Sequence, residues 1–132
     1  MSVAGLPLIE KLKTRMHWHQ ARQKVIAENV ANADTPGFKP RDVAEPQFDA
    51  RGRTVGGNLQ VARTAPGHLA LDQARAGMSE RNATRFEVRP SGNAVNLEEE
   101  MLRSAQNQSD YQLAASLYEK SLSMLRIATG RR

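Results

Sequence analysis

The chain has 132 residues, of which 39% are hydrophobic and 5% aromatic, and Lys+Arg of 19 against Asp+Glu of 14 gives a net charge of +5. That is enough for one domain, but the apolar content is lean for a core that must hold a fold unaided, and the balance points to a chain completed by neighbours. The absence of cysteine excludes a disulfide framework and a thiolate metal site, and no run approaches the ~18 uninterrupted apolar residues of a membrane span.

The opening run, MSVAGLPLIEKLK, has no basic region followed by a long apolar stretch, so no cleavable secretory signal is expected. Pro7 suits the first turn of a helix, and nothing interrupts a helical pattern from there to Asn32. Ile9, Leu12, Met16, Ile26 and Val30 fall at 3- and 4-residue steps, with His19 and Gln23 in the intermediate seam positions. Leu8, Trp18, Ala21 and Val25 broaden the apolar face. At ~1.5 Å per residue such a helix is roughly 39 Å long, too long to hide its face on a small core. Polar residues inside a seam set register, as they do in coiled coils.

The helix stops at Thr35-Pro36-Gly37-Phe38. Pro36 pushes Thr35 into an extended conformation, and Pro-Gly fits the central positions of a type II turn, where Gly37 takes a positive φ. Asn29 and Asn32 share one face of the last helical turn, within reach of the terminal carbonyls or of a neighbouring chain. Phe38 offers a single large ring beyond the turn.

From Lys39 to Pro90 the pattern weakens. Pro40, Pro46 and Pro66 forbid long elements, and Gly52, Gly56, Gly57, Gly67 and Gly77 supply turns. β-compatible pieces occur at Thr54–Val55, Leu59–Val61 and Arg85–Arg89, with Gly56-Gly57-Asn58 as a turn between the first two. Residues 72 to 85, polar and alanine-rich, read as a mobile loop.

Ser91-Gly92-Asn93 marks another turn, and Asn96 opens a second long helix. Asn96 with Glu99 three residues on has the form of a capping box, and Glu98, Glu99 and Glu100 complement the positive end of the helix dipole. The three acids are read as a cap, because consecutive helical residues point in different directions and form no metal or catalytic cluster. The helix is expected to run to about Thr129. Met101, Ser104, Gln108, Tyr111, Ala115, Tyr118, Leu122, Leu125 and Thr129 keep alternating 3- and 4-residue steps over four heptads. Leu97, Leu102, Leu113, Leu117 and Ile127 lie off this seam, available to other subunits. Gly130 ends the helix, with Arg131 and Arg132 beyond it.

The run NVANADTPGF, residues 29 to 38, resembles the N-terminal signature of the flagellar axial proteins, whose usual form is Asn-Ile-Ala-Asn-x-x-Thr-Pro-Gly-Tyr/Phe. Val30 replaces the isoleucine, and Phe38 stands where tyrosine is common. SGNAVNLEEEM, residues 91 to 101, followed by Tyr111-Gln112, is similar to the C-terminal region of proximal rod proteins of the FlgB type, and Asn96 replaces their common aspartate. RTAPGHLAL, residues 63 to 71, also resembles a rod-family segment. The likeness runs from about Arg22 to the end and is weakest over residues 44 to 62 and 72 to 84.

This resemblance to the flagellar basal-body rod family implies a mainly α fold. Long N- and C-terminal helices would pair as a coiled-coil-like hairpin around a small irregular β-containing middle segment. The expected division is residues 1–38 (first helix and turn), 39–90 (middle) and 91–132 (second helix). It implies a structural subunit of the proximal rod, the periplasm-crossing drive shaft, with copies of itself, other rod proteins and the membrane-ring/export-gate junction as partners; the alternative within the family is a different rod or axial subunit of the same architecture. It also implies export through the flagellar type III apparatus without cleavage. Asn29, Asn32, Thr35, Pro36, Gly37 and Phe38 are then the structural signature. Ile9, Leu12, Met16, Ile26 and Val30 are expected to pair with Tyr111, Ala115, Tyr118, Leu122 and Leu125, and Asn96 and Glu99 to cap the second helix.

The residues themselves offer no catalysis. His17 and His19 are two apart, about 200° around a helix, and His68 stands alone. No phosphate loop, Ser-His-Asp spacing or cofactor motif is present, so neither an enzyme nor a cofactor is expected. Nucleic-acid binding is the rival from another class, given a pI near 10.1. The arginines, however, are spread along the chain instead of clustering on one helix face, and no groove-reading motif appears.

Overall fold

The computed structural model describes residues 5–50, 54–55, 80–82 and 89–130. Two long helices dominate it: α1 (Gly5–Ala31) and α2 (Leu97–Ala128). Between them lie β1 (Arg41–Val43), β2 (Gln47–Phe48), β3 (Thr54–Val55) and β4 (Glu80–Asn82). The helices pack against each other, and β1 packs on α1. They run antiparallel: Gln20 meets Tyr111, Gln23 meets Ser104, and Asn29 meets Glu100. The fold is thus the mainly α hairpin expected from the sequence.

Both helices begin and end where local chemistry dictates. Pro7 sits in the first turn of α1, where its missing N–H has no intrahelical acceptor to lose. Asn96 is the N-cap of α2: its backbone is extended, and its side-chain oxygen accepts the amides of Glu98 and Glu99. The Glu99 carboxylate is held by Arg103, one turn on. Glu98 is exposed and Glu99 half-buried at the cap, but the reading of all three acids as a cap needs correction at Glu100, which is buried against α1. At the other end Thr129 caps α2, its amide and hydroxyl both reaching the Leu125 carbonyl, and Gly130 takes the left-handed φ of 69°.

The middle segment departs from the sequence reading in its pairings. β3 falls at Thr54–Val55 as expected, but its partner is the upstream β2, through Gln47↔Val55 and Phe48↔Thr54. β4 lies inside the stretch read as a mobile loop, and it pairs antiparallel with β1 through Arg41↔Asn82, Asp42↔Arg81 and Val43↔Glu80. A three-residue polar strand gives no periodicity to detect, and its partner is far upstream. The pieces at Leu59–Val61 and Phe86–Val88, the turn at Gly56-Gly57-Asn58 and the family-like run at residues 63–71 lie outside the described residues; Arg85 does too, while Arg89 is in coil.

The apolar core is small. Trp18, Val25 and Val43 form a buried cluster where α1 meets β1, with Ile26, Ala33, Ala94, Val95 and Ala114 buried elsewhere. Trp18 is fixed by its indole N–H, which donates to the Ala44 carbonyl at 2.8 Å, and the Arg22 guanidinium lies 5.2 Å from its ring. Arg22 in turn makes a two-point pair with Asp42 of β1, both bonds at 3.0 Å. Trp18 and the Arg22–Asp42 pair thus help fasten the middle segment to α1, beside the ion pairs Arg15–Glu45 and Arg41–Glu28.

Candidate functional site

The three largest fully buried side chains among the described residues are all asparagines: Asn29, Asn93 and Asn107. A buried amide costs stability unless all its groups are bonded. Among the described residues no buried side-chain nitrogen or oxygen lacks a partner. The three asparagines mark the three joints of the hairpin.

Asn29 joins α1 to β1 and to α2. Its side-chain oxygen accepts the Arg41 amide at 3.0 Å, and its Nδ2 donates to the Arg41 carbonyl at 2.8 Å, so the side chain imitates the edge of a strand. The same Nδ2 reaches the Glu100 carboxylate at 3.2 Å. Glu100 is 2% exposed and also accepts from Arg103 at 3.0 Å. Burial pushes its carboxyl above the ordinary value of 4.5, and Asp42 and Glu99 add repulsion in the same direction. The Asn29 hydrogen bond and the Arg103 charge oppose the rise without cancelling it.

Asn93 closes the turn that ends α1. Thr35-Pro36-Gly37-Phe38 forms a turn closed by the Phe38 amide on the Thr35 carbonyl at 3.3 Å, with Gly37 at φ 72° as a type II turn requires. Asn32 caps its own helix, donating to the Glu28 carbonyl at 2.8 Å while its oxygen accepts the Thr35 hydroxyl. From the other end of the chain, Asn93 donates to the carbonyls of Asn32 (2.9 Å) and Thr35 (2.7 Å). Its oxygen holds the Val95 amide. Two backbone bonds complete the clasp, Gly37 N–H to Ser91 and Ala94 N–H to Phe38. Gly92 has φ 80°, and a Cβ there would come within 3.3 Å of the Gly37 Cα, so the two turns meet glycine to glycine.

Asn107 fixes the middle of the helix pair. Its Nδ2 donates to the His19 carbonyl at 2.8 Å and to the Gln23 side chain at 3.1 Å. Its oxygen lies 2.7 Å from His19 Nδ1, which therefore carries the proton. Gln23 donates onward to Ser104 at 2.7 Å. His19 and Gln23, the polar positions in the seam of α1, are joined to α2 by these bonds.

The buried positions of α2 are Glu100, Asn107 and Ala114, spaced by heptads. The seam read from the sequence used Met101 and Gln108 instead, and both are exposed, Met101 at 65%. That half of the seam is displaced by one residue, because an apolar pattern selects Met101 over the neighbouring Glu100. Thr129, also placed in the seam, bonds its own helix. Of the residues expected to pair, Ile26 is buried, Ile9, Leu12 and Met16 are half-buried, and Val30 is exposed. On α2, Tyr111, Ala115, Tyr118, Leu122 and Leu125 are half-buried. The antiparallel bonds bring Ile26 and Val30 level with Met101 and Ser104, away from Tyr111 to Leu125. The signature turn itself is exposed at Thr35, Pro36 and Gly37, with Phe38 half-buried.

The outer face of α2 carries large apolar side chains among its polar ones. Leu102, Leu113, Leu117, Met124 and Ile127 are 45 to 75% exposed. Among the described residues no group of three His, Cys, Asp or Glu is placed to hold a metal ion, and no helix is long and apolar enough to cross a membrane. Among the described residues the geometry positions backbone and presents surface.

Known proteins resemble this sequence. A profile of the family described as "Flagella basal body rod protein" matches residues 13–39, which take in the whole turn signature and most of α1. The Agrobacterium fabrum protein named flagellar basal body rod protein FlgB is 34% identical over 99% of this chain and 98% of its own length. The Escherichia coli protein of that name is 30% identical over 83% of this chain and 88% of its own length, and the Bacillus subtilis one 28% identical over 92% and 93%.

Proposed function

Because this chain belongs to the FlgB-type family of flagellar basal-body rod proteins, and is thereby a structural subunit of the basal body, we propose that it builds the proximal rod. In that role copies of the chain assemble with other rod proteins into the periplasm-crossing shaft that transmits torque, above the junction with the membrane ring and export gate. The chain travels there through the flagellar export apparatus without cleavage. The apolar pairing of Ile9, Leu12 and Met16 with the Tyr111 to Leu125 face is part of this reading, while Ile26 and Val30 fall level with Met101 and Ser104. So is the division at residues 38 and 90, and so is the role of Asn29 to Phe38 as the signature that closes the hairpin.

The observation that carries it is the distribution of polarity. The interior of the hairpin is hydrogen-bonded and the outside of α2 holds large exposed apolar side chains. Such a molecule keeps its shape by directional bonds and gains its burial from neighbours. Purified and dilute, it is expected to show low helicity that rises with concentration. The decisive test is complementation of a strain lacking the chain. Leu122→Asp, at a half-buried site, should leave expression intact and abolish rods and motility. Intact rods built from that variant would remove the pairing, and finding the wild-type chain outside the proximal rod in purified basal bodies would remove the assignment.

A further inference from the structure

The two halves of α2 are held by different means. From Leu97 to Ala114 the helix is tied to α1 by a ladder of polar bonds, Glu100 to Asn29, Ser104 to Gln23 and Asn107 to His19. The three buried positions of α2, Glu100, Asn107 and Ala114, all fall in this half. The ladder ends at Tyr111, whose hydroxyl accepts from Gln20 at 3.4 Å, and among the described residues no hydrogen bond joins the two helices further from the clasp. From Ala115 onward the side chains nearest α1 (Ala115, Tyr118, Leu122 and Leu125) are half-buried at most, as are Ile9, Leu12 and Met16 on the facing part of α1.

Along that same stretch α1 is braced from a second side by the middle segment. Lys11 Nζ lies 5.0 Å from the centre of the Phe48 ring, Arg15 pairs with Glu45 at 2.6 Å, and Trp18 donates to the Ala44 carbonyl. The end of α2 is also a poor helix in its own right. Ser116, Ser121 and Ser123 are middling helix formers, and the Ser121 hydroxyl turns back on the Leu117 carbonyl at 2.8 Å. A piece this short lies near the ~12–15 residues below which an isolated helix is marginal in water.

We infer that Ala115–Ala128 is a releasable arm, which leaves α1 and unwinds as a unit while Leu97–Ala114 stays locked by Asn29, His19 and Gln23. Local opening of this kind follows the distribution of burial and bonding along a chain, and here both change at Ala114. Release lays bare Ile9, Leu12 and Met16 on a helix that remains braced, and frees Tyr118, Leu122 and Leu125 with it. The hairpin then has two states that share one clasp, and the open one offers the inner apolar faces of both helices. The inference concerns the hairpin alone and needs nothing of the rod role.

Hydrogen–deuterium exchange of the full chain, resolved by peptide and taken at a concentration below which further dilution changes nothing, tests it. Amides of residues 118 to 128 are expected to exchange at least tenfold faster than those of 102 to 114, with the step near Ala114. Leu122→Ala, which trims a half-buried contact, should speed the arm severalfold and leave residues 102 to 114 unchanged. Asn107→Ala should do the reverse, narrowing the step from the other side. Uniform exchange along α2, slow or fast, would overturn the arm. So would fast exchange confined to the last turn, which is ordinary fraying, or a Leu122→Ala chain in which both halves speed up equally.

Discussion

The seam between α1 and α2 and the outer face of α2 invert the usual order of a folded chain. The seam buries Glu100, Asn107, Asn29 and His19, while the outer face exposes Leu102, Met124 and Ile127. Apolar burial is strong but tolerant of sliding, because any apolar face satisfies any other. Hydrogen bonds are weaker net, yet an unmade one in the interior is expensive, so they admit one register. A subunit that must present the same surface in every copy gains from a polar seam, since a one-residue slip between the helices would strand several amides at once. Adhesion can then be left to the outside.

If the seam sets register, its removal should be costly in proportion to the partners stranded. Asn29→Ala has the largest expected effect. It loses both bonds to the part-buried Arg41 backbone and one to the buried Glu100 carboxylate, three bonds at a single joint. A loss of about 3 kcal/mol follows from ~1–3 kcal/mol per buried unsatisfied group, measured by denaturation at a concentration where helicity is saturated. A loss below ~1 kcal/mol would mean that water replaces the amide and that the joint is not sealed.

Asn107→Ala comes next, at about 2 kcal/mol, because His19 and Gln23 lose their common partner. The comparison sharpens in the double variant His19→Leu/Asn107→Leu. Replacing both members with apolar residues should recover most of the loss and relax the register. A cysteine pair at Gln23 and Ser104, neighbours in the native register, reads this: efficient disulfide formation in the parent, partial in the double variant. Equal efficiency in both would show that the apolar contacts alone hold the register.

The same inversion explains what the sequence could and could not tell. Helix ends were legible because they depend on local chemistry, Pro36-Gly37 at one and Asn96 at the other. The alternating period along α2 was legible, but one of its two rows was assigned a residue late. Hydropathy ranks Met101 above Glu100 and Gln108 level with Asn107, so it cannot see a buried row chosen for its hydrogen bonds. Asn93 was placed in a turn, and its hold on the carbonyls of Asn32 and Thr35 depends on residues about 60 positions upstream, a distance no local pattern spans. Asn29 and Asn32 were visible as a pair on one face; that one reaches across to Arg41 and Glu100 while the other turns back on its own helix was not. β4 escaped for the same reason as Asn93, since its only signal is a partner strand far away.

A smaller effect is expected at Glu100→Gln, and its sign depends on pH. Burial raises the Glu100 carboxyl above 4.5, so the folded chain holds this proton more tightly than the unfolded one. The stabilisation is complete below the ordinary carboxylate range and is lost as pH rises through the raised folded value. Glutamine keeps an acceptor for Asn29 and has no proton to lose. The stability of the variant relative to wild type should therefore increase with pH above about 4.5, the ordinary value. A difference that decreases with pH would show that the Arg103 ion pair outweighs burial.

The smallest expected effect lies on the outer face, where the comparison is most easily broken. Leu113 is 61% exposed on the outer side of α2. Leu113→Gln should change the stability of the isolated hairpin by no more than ~0.5 kcal/mol, as for other surface substitutions, because no interior contact is lost. Its effect belongs to association, where a partly covered leucine contributes ~1 kcal/mol or more through burial against a neighbour. Denaturation should then be indifferent to the change when the chain is dilute and sensitive to it when concentrated, the opposite of what Asn29→Ala gives. Were Leu113→Gln to destabilise the dilute chain as much as Asn107→Ala does, the outer face would be contributing to the fold itself, and the separation of shape from adhesion would fail.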